Sequence, residues 1–134
     1  MAPPWSANIE QETKENKNFR TVLWTGEHSQ LTVMSIDPGD EIGWEVHDSN
    51  DQFLRVEEGE GRAQTGSEKG QIEDEHYVPE DWAVIIPAGT WHNVVNSGSQ
   101  PLKLYSIYSP AEHPPNTVHK TKAEADAAEA AEHA

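Results

Sequence analysis

The succession of apolar and polar positions between Phe19 and Tyr108 predicts a chain of short β-strands. Runs that alternate, or that are rich in β-branched and aromatic residues, fall at Phe19 to Trp24, Leu31 to Ile36, Ile42 to His47, Phe53 to Val56, Trp82 to Ile86, His92 to Val95 and Leu102 to Tyr108. Turn-forming clusters divide them: Asp37-Pro38-Gly39, Glu58-Gly59-Glu60-Gly61, Pro87-Ala88-Gly89 and Asn96-Ser97-Gly98. Many short strands, frequent turns and no internal helical period predict an all-β antiparallel sandwich or barrel.

The flanks read differently. Residues 1–18 form an N-terminal arm whose polar part, Ile9 to Asn18, is either a loose segment or a short surface helix. Residues 19–119 make the barrel, and the acidic stretch from Gln64 to Glu80 is expected to be a hairpin excursion between its two halves. Residues 120–134 are alanine-rich with good helix formers, so a short C-terminal helix is expected, with Thr121 as N-cap and Glu124 completing a capping box.

Two segments carry a recognisable spacing. Gly39, Glu45, His47, Gln52 and Gly59 stand at the positions of the first cupin motif, G-x5-H-x-H-x4-E-x6-G, with Glu45 in place of its first His and Gln52 in place of its Glu. Pro87, Gly89, His92 and Asn96 fit P-x-G-x2-H-x3-N of the second, with Asp81 where the opening glycine belongs. The chain therefore resembles the small single-domain cupins, and among them the bacterial group described as mannose-6-phosphate isomerase-like. The resemblance implies an antiparallel cupin β-barrel (double-stranded β-helix, or jelly roll) and one divalent transition metal ion, Mn, Fe, Ni, Co or Zn, held by Glu45, His47, Gln52 and His92.

The same residues make physical sense by themselves. Glu45 and His47 are two apart, so in a strand both side chains point to one face, and Gln52 and His92 would come from neighbouring strands. Two imidazoles, a carboxylate and an amide oxygen suit such an ion and leave up to two octahedral positions open. Exchanging His for Glu at one position and Glu for Gln at another leaves the formal charge of the site at about +1. With Gln52 and His92 setting the phase, Leu54, Val56, Val94, Ser106 and Tyr108 should line the interior. Trp44 and Trp91 should face away from it, and Arg55 should pair with an acidic residue. His28, His76, His113, His119 and His133 read as structural or surface residues.

Composition narrows the function without choosing it. With no cysteine, any metal is bound through nitrogen and oxygen. A net charge of -15, from 9 basic against 24 acidic residues, argues against nucleic acid and anionic membranes as partners. The absence of a leader-like start and of a long apolar run reads as a cytoplasmic protein. The expected partner is a small-molecule ligand. Lewis-acid isomerase or lyase chemistry on a small oxygenated molecule leads, with a non-haem dioxygenase and a non-enzymatic binding module as alternatives. The predicted inner face offers no arginine or lysine for a phosphate. The resemblance implies a homodimer, since cupins of this size usually pair sheet to sheet, and Trp24, Trp44 and Trp91 exceed what one small barrel needs inside.

Overall fold

The computed structural model describes residues 2–132, and its strands follow the inward set of apolar side chains. In chain order the elements are α1 (Ile9–Glu15), β1 (Arg20–Thr25), β2 (Gln30–Ile36), β3 (Asp51–Glu58), β4 (Glu60–Gly66), β5 (Asp74–Pro79), β6 (Ala83–Ile86), β7 (Trp91–Asn96), β8 (Leu102–Ser109), β9 (Val118–His119) and α2 (Lys122–Glu132). All strand pairs are antiparallel, in a six-stranded sheet ordered β6-β3-β8-β2-β1-β9 and a three-stranded sheet ordered β5-β4-β7. Met34, Ile36, Leu54, Val56, Leu102 and Leu104 from the first sheet meet Ala63, Val78 and Val94 from the second to form the core. The expected all-β barrel with a C-terminal helix is what the chain builds.

Register sets the phase of the interior. Gln52 pairs with Tyr108 and Leu54 with Ser106 across β3 and β8. Leu54, Val56, Val94, Ser106 and Tyr108, the five expected lining residues, are all buried. Arg55 projects the other way and pairs with Glu57 and Asp81, as expected. The N-terminal segment forms the helix rather than the loose arm: Asn8 Oδ1 accepts from the Gln11 N–H at 3.0 Å, and the buried Thr13 hydroxyl donates to the Ile9 carbonyl at 2.7 Å. At α2, Thr121 Oγ1 accepts from the Glu124 N–H at 3.1 Å, while the Glu124 carboxylate accepts from Lys120, one residue before the N–H of an ordinary capping box.

Two expectations need correction. The 64–80 excursion is a hairpin, but its strands β4 and β5 are full members of the smaller sheet, with β4 at its centre. The inward positions of β4 include Gly61 and Ala63, which carry no strand signal. They are small because the space is taken: a Cβ at Gly61 would lie 2.8 Å from the Val95 carbonyl oxygen and 2.9 Å from Leu102 Cδ2. The second correction is Ile42 to His47, which is not a continuous strand. It touches β7 through two isolated bridges, Glu41 with Val95 and Glu45 with His92. Between them Gly43 sits at φ +103, a backbone state closed to most side chains, and its N–H turns to Asn93 Oδ1 at 2.9 Å.

Two buried amides tie the loops to this frame. Asn96 Nδ2 donates to the carbonyls of Ile36 (2.9 Å) and Gln100 (2.8 Å), and its Oδ1 accepts from Gly98 N–H (2.9 Å). Gln30 uses its whole amide: Nε2 donates to Thr25 Oγ1 (2.9 Å) and the His113 carbonyl (2.7 Å), and Oε1 accepts from the N–H groups of Glu112 (3.2 Å) and His113 (3.0 Å). It thereby pins the 112–113 loop over the interior. Gln30→Leu keeps the volume but leaves four polar groups without this partner. It should cost about 3 kcal/mol in urea unfolding, against well under 1 kcal/mol for an exposed control such as Gln71→Leu.

Candidate metal centre

The centre is assembled by one backbone pair. Glu45 and His92 exchange N–H···O bonds in both directions at 3.0 Å, so their side chains leave the sheet on the same side. His47 follows two residues later, and its ring centroid lies 5.0 Å from that of His92. Glu45 Oε1 is 3.6 Å from His47 Nε2 and 3.8 Å from His92 Nε2. One ligand atom from each of these three residues lies within 4.8 Å of the others, a grouping that could hold a metal ion.

The tautomers are set from behind. His92 Nδ1 donates to the Thr90 carbonyl at 2.9 Å, and His47 Nδ1 faces Glu112 Oε1 at 3.2 Å. Both Nε2 atoms are thus left to the interior, buried and without a hydrogen-bond partner. Gln52 behaves in the same manner. Its Nε2 donates to Ser106 Oγ (3.1 Å) and Tyr108 OH (3.3 Å), which leaves Oε1 buried and unpartnered. Tyr108 carries the contact onward, its ring standing edge-on to His47 at 5.6 Å. Three buried atoms without a hydrogen-bond partner, two of them on histidines grouped with the Glu45 carboxylate, are costly unless something electropositive is bound there, and their types are ones a divalent cation accepts.

Residues 32–108 match the family model described as Cupin domain. The chain belongs to the cupin family. It is 53% identical over 126 residues to YrkC of Bacillus subtilis (strain 168), covering 94% of this chain and 68% of that protein. Protein L612 of Acanthamoeba polyphaga mimivirus is 44% identical over 112 residues, 83% of this chain and 68% of that one. Among solved structures, BH2720 from Bacillus halodurans superposes with a TM-score of 0.91 at 56% identity, covering 93% of this chain and 95% of that one.

In this cupin the second motif departs from pattern only at Asp81, and the structure explains why that is tolerated. Asp81 holds φ +73, the left-handed state that a glycine supplies at no steric cost and that aspartate tolerates better than most residues. Its carboxylate is anchored on Arg55 Nη2 at 2.8 Å. Trp44 and Trp91, beside the candidate ligands, are partly buried.

Three residues that the sequence reading left out stand at the centre. Glu112 backs His47, as above. His113, read as structural or surface, packs edge-on against Tyr108 at 5.3 Å with its Nε2 buried and unpartnered. Arg20 corrects the expectation of an inner face without arginine: it is 5% exposed and lines a cavity with Glu45, Glu112 and His113. Nothing marks Glu112 or His113 in the sequence, because they sit in a loop outside both motifs. Arg20 has one faint signal, its even spacing with the buried Val22 in β1. Of the other histidines, His28 and His76 are exposed, His119 lies beside Arg20, and His133 is outside the described residues.

Electrostatics make the metal-free cluster a proton site. Burial opposes charge on His47, but the close carboxylates of Glu112 and Glu45 overcome it, pushing its pKa up to about 9. Burial would raise Glu45, yet His47 and Arg20 hold it below the usual carboxylate range. His92 is lowered, chiefly by burial. A cation at this cluster must displace the His47 proton. Apparent affinity should therefore fall about tenfold per pH unit below about 9, rather than only below 6.5 as an ordinary histidine implies. Calorimetry at pH 7–8 in buffers of different ionisation enthalpy should show about one proton released per ion. The same shift gives the metal-free protein a stabilising contribution that is complete below 6.5 and lost as pH rises through about 9.

Proposed function

We propose that the chain binds one divalent transition metal ion through Glu45, His47, Gln52 and His92 and acts on a small oxygenated molecule by isomerase- or lyase-type chemistry. The observation that supports this most strongly is that His47 Nε2 and His92 Nε2, grouped with the Glu45 carboxylate, are buried and unpartnered, as is Gln52 Oε1. A bound ion would supply Lewis-acid polarisation of a substrate oxygen. The chain's own residues do the rest: Thr90 and Glu112 hold the imidazoles with Nε2 inward, and Ser106 and Tyr108 hold the Gln52 amide with its oxygen inward. Burial raises the Tyr108 hydroxyl pKa, so it stays protonated and serves as a fixed dipole rather than a base. His113, pushed down to about 4 mainly by burial, is neutral at pH 7, and its Nε2 is buried beside the cavity without a partner.

The mannose-6-phosphate isomerase-like resemblance does not supply the substrate, since a shared fold leaves the reaction open. Oxygenase chemistry is the competing reading, because two imidazoles and a carboxylate also describe an iron(II) site. Metal analysis of protein purified without added metal, followed by oxygen uptake, separates them. Manganese, nickel, cobalt or zinc near one equivalent without uptake is the expected result, and iron with oxygen consumption would replace it by the oxygenase reading. His92→Ala or His47→Ala should abolish stoichiometric metal. Gln52→Ala should weaken affinity by about tenfold, and Gln52→Glu should tighten it by adding charge. Retention of a full equivalent by His92→Ala at neutral pH would sink the site.

We also propose that the cupin is a homodimer, in a small-molecule role with no nucleic-acid or membrane partner. None of the helices is long and apolar enough to cross a membrane among the described residues. Trp24, Trp44 and Trp91 are partly buried, and the strongest apolar exposure lies at Trp82 (58%) and Ile85 (72%), on and beside the edge strand β6. An uncovered apolar edge invites pairing. Light scattering should give twice the 14.9 kDa chain mass, and Trp82→Glu should return the particle to one chain.

A further inference from the structure

The cavity beside the centre contains a cation that the metal reading leaves unused. Arg20 is 5% exposed, and it cannot shed its charge. Its Nη1 meets His119 Nδ1 at 3.3 Å, while its Nε–H is buried without a partner, and among the described residues no carboxylate forms an ion pair with it. His113 Nε2, on the same cavity, is also buried and unpartnered. A buried guanidinium with carboxylates nearby but none in ion-pair contact is costly, and its planar fork matches a carboxylate.

We propose that Arg20 and His113 bind the carboxylate of a small organic acid whose other oxygen reaches the metal at Glu45, His47, Gln52 and His92. This rests on the metal reading above. Charge favours it despite the acidic chain. The two Glu112 oxygens are engaged by His47 Nδ1 (3.2 Å) and Asn50 Nδ2 (2.8 Å), and Glu129 lies on the exposed helix α2. A divalent ion, Arg20, Glu45 and Glu112 together sum to about +1. Size selects within the class. The cavity is about 30 Å³ and is walled on the outside by Ala125 and Ala128 of α2, which suits a carboxylate group and excludes a sugar phosphate.

The test is titration of the zinc-loaded full chain with glycolate and with glycolamide, which differ only in carboxylate against amide. Glycolate should bind at least about tenfold tighter. Arg20→Gln should reduce that preference below about threefold with the zinc equivalent unchanged, and Arg20→Lys should restore part of it. In the unaltered protein, glycolate should shift the Arg20 Nε–H resonance, identifiable among only three arginines. A full zinc equivalent with an unmoved Arg20 resonance, or with the preference kept in Arg20→Gln, would overturn the carboxylate site alone. No zinc equivalent would overturn the metal reading and this proposal with it.

Discussion

The centre depends on the reciprocal backbone pair between Glu45 and His92, two N–H···O bonds of 3.0 Å in an otherwise irregular stretch. Without it, the segment would still be held at Asp40 to Gly43 against β7 and at His47, whose carbonyl accepts from Gly89 N–H at 2.9 Å. Nothing in the backbone would then set the Glu45 carboxylate opposite His92. Gly43 makes the pair possible by absorbing an irregular step at φ +103, after which the chain returns to register in time to place Glu45 opposite His92. A regular strand over the same residues would run its ladder straight through, so the departure from the predicted strand is what sets the geometry.

Holding three such polar groups beside a carboxylate in a core is unfavourable in itself, and the fold limits how much. Each of the three has one face satisfied: Nδ1 of His92 by a carbonyl, Nδ1 of His47 by a carboxylate, the Gln52 amide nitrogen by two hydroxyls. What remains unsatisfied is one atom per residue, and those of the two histidines meet at Glu45. An unpaired buried acceptor costs about 1–3 kcal/mol, so three of them are a burden comparable to a large part of a small domain's stability. Proton binding at His47 relieves some of that load in the metal-free protein, through its contact with Glu45, which is why its pKa is raised although burial acts the other way.

Much of this was legible in the sequence, and for identifiable reasons. Strands with large apolar inward residues, such as β2, β3 and β8, announce themselves by period. The ligand positions announce themselves by spacing, because the turns between them have fixed lengths. β4 was hidden because its inward positions are filled by Gly61 and Ala63, whose smallness is a packing requirement and leaves no alternation to read. Glu112, His113 and Arg20 were hidden for a different reason. They reach the centre through tertiary placement, by the Gln30 amide that pins the 112–113 loop and by the β1 register, and neither leaves a local pattern.

The two substitutions in the first motif acquire a common meaning once the walls of the centre are known. Position 52 faces the closed side of the barrel, where its neighbours are Ser106 and Tyr108, both fully buried hydroxyls. With no ion bound, a carboxylate there would have to be neutralised from a wall that offers no cation, whereas an amide donates to both hydroxyls and still presents an oxygen. Position 45 faces the open side, with 14% of its side chain accessible, and lines the cavity that Arg20 also lines. The negative charge of the proposed metal set therefore stands on the side that carries a compensating guanidinium, and the neutral ligand stands on the side that carries none. In the proposed set the total charge is that of one carboxylate in either arrangement, but here the carboxylate borders the cavity that Arg20 lines, so the guanidinium is the group there with charge to offer an anion.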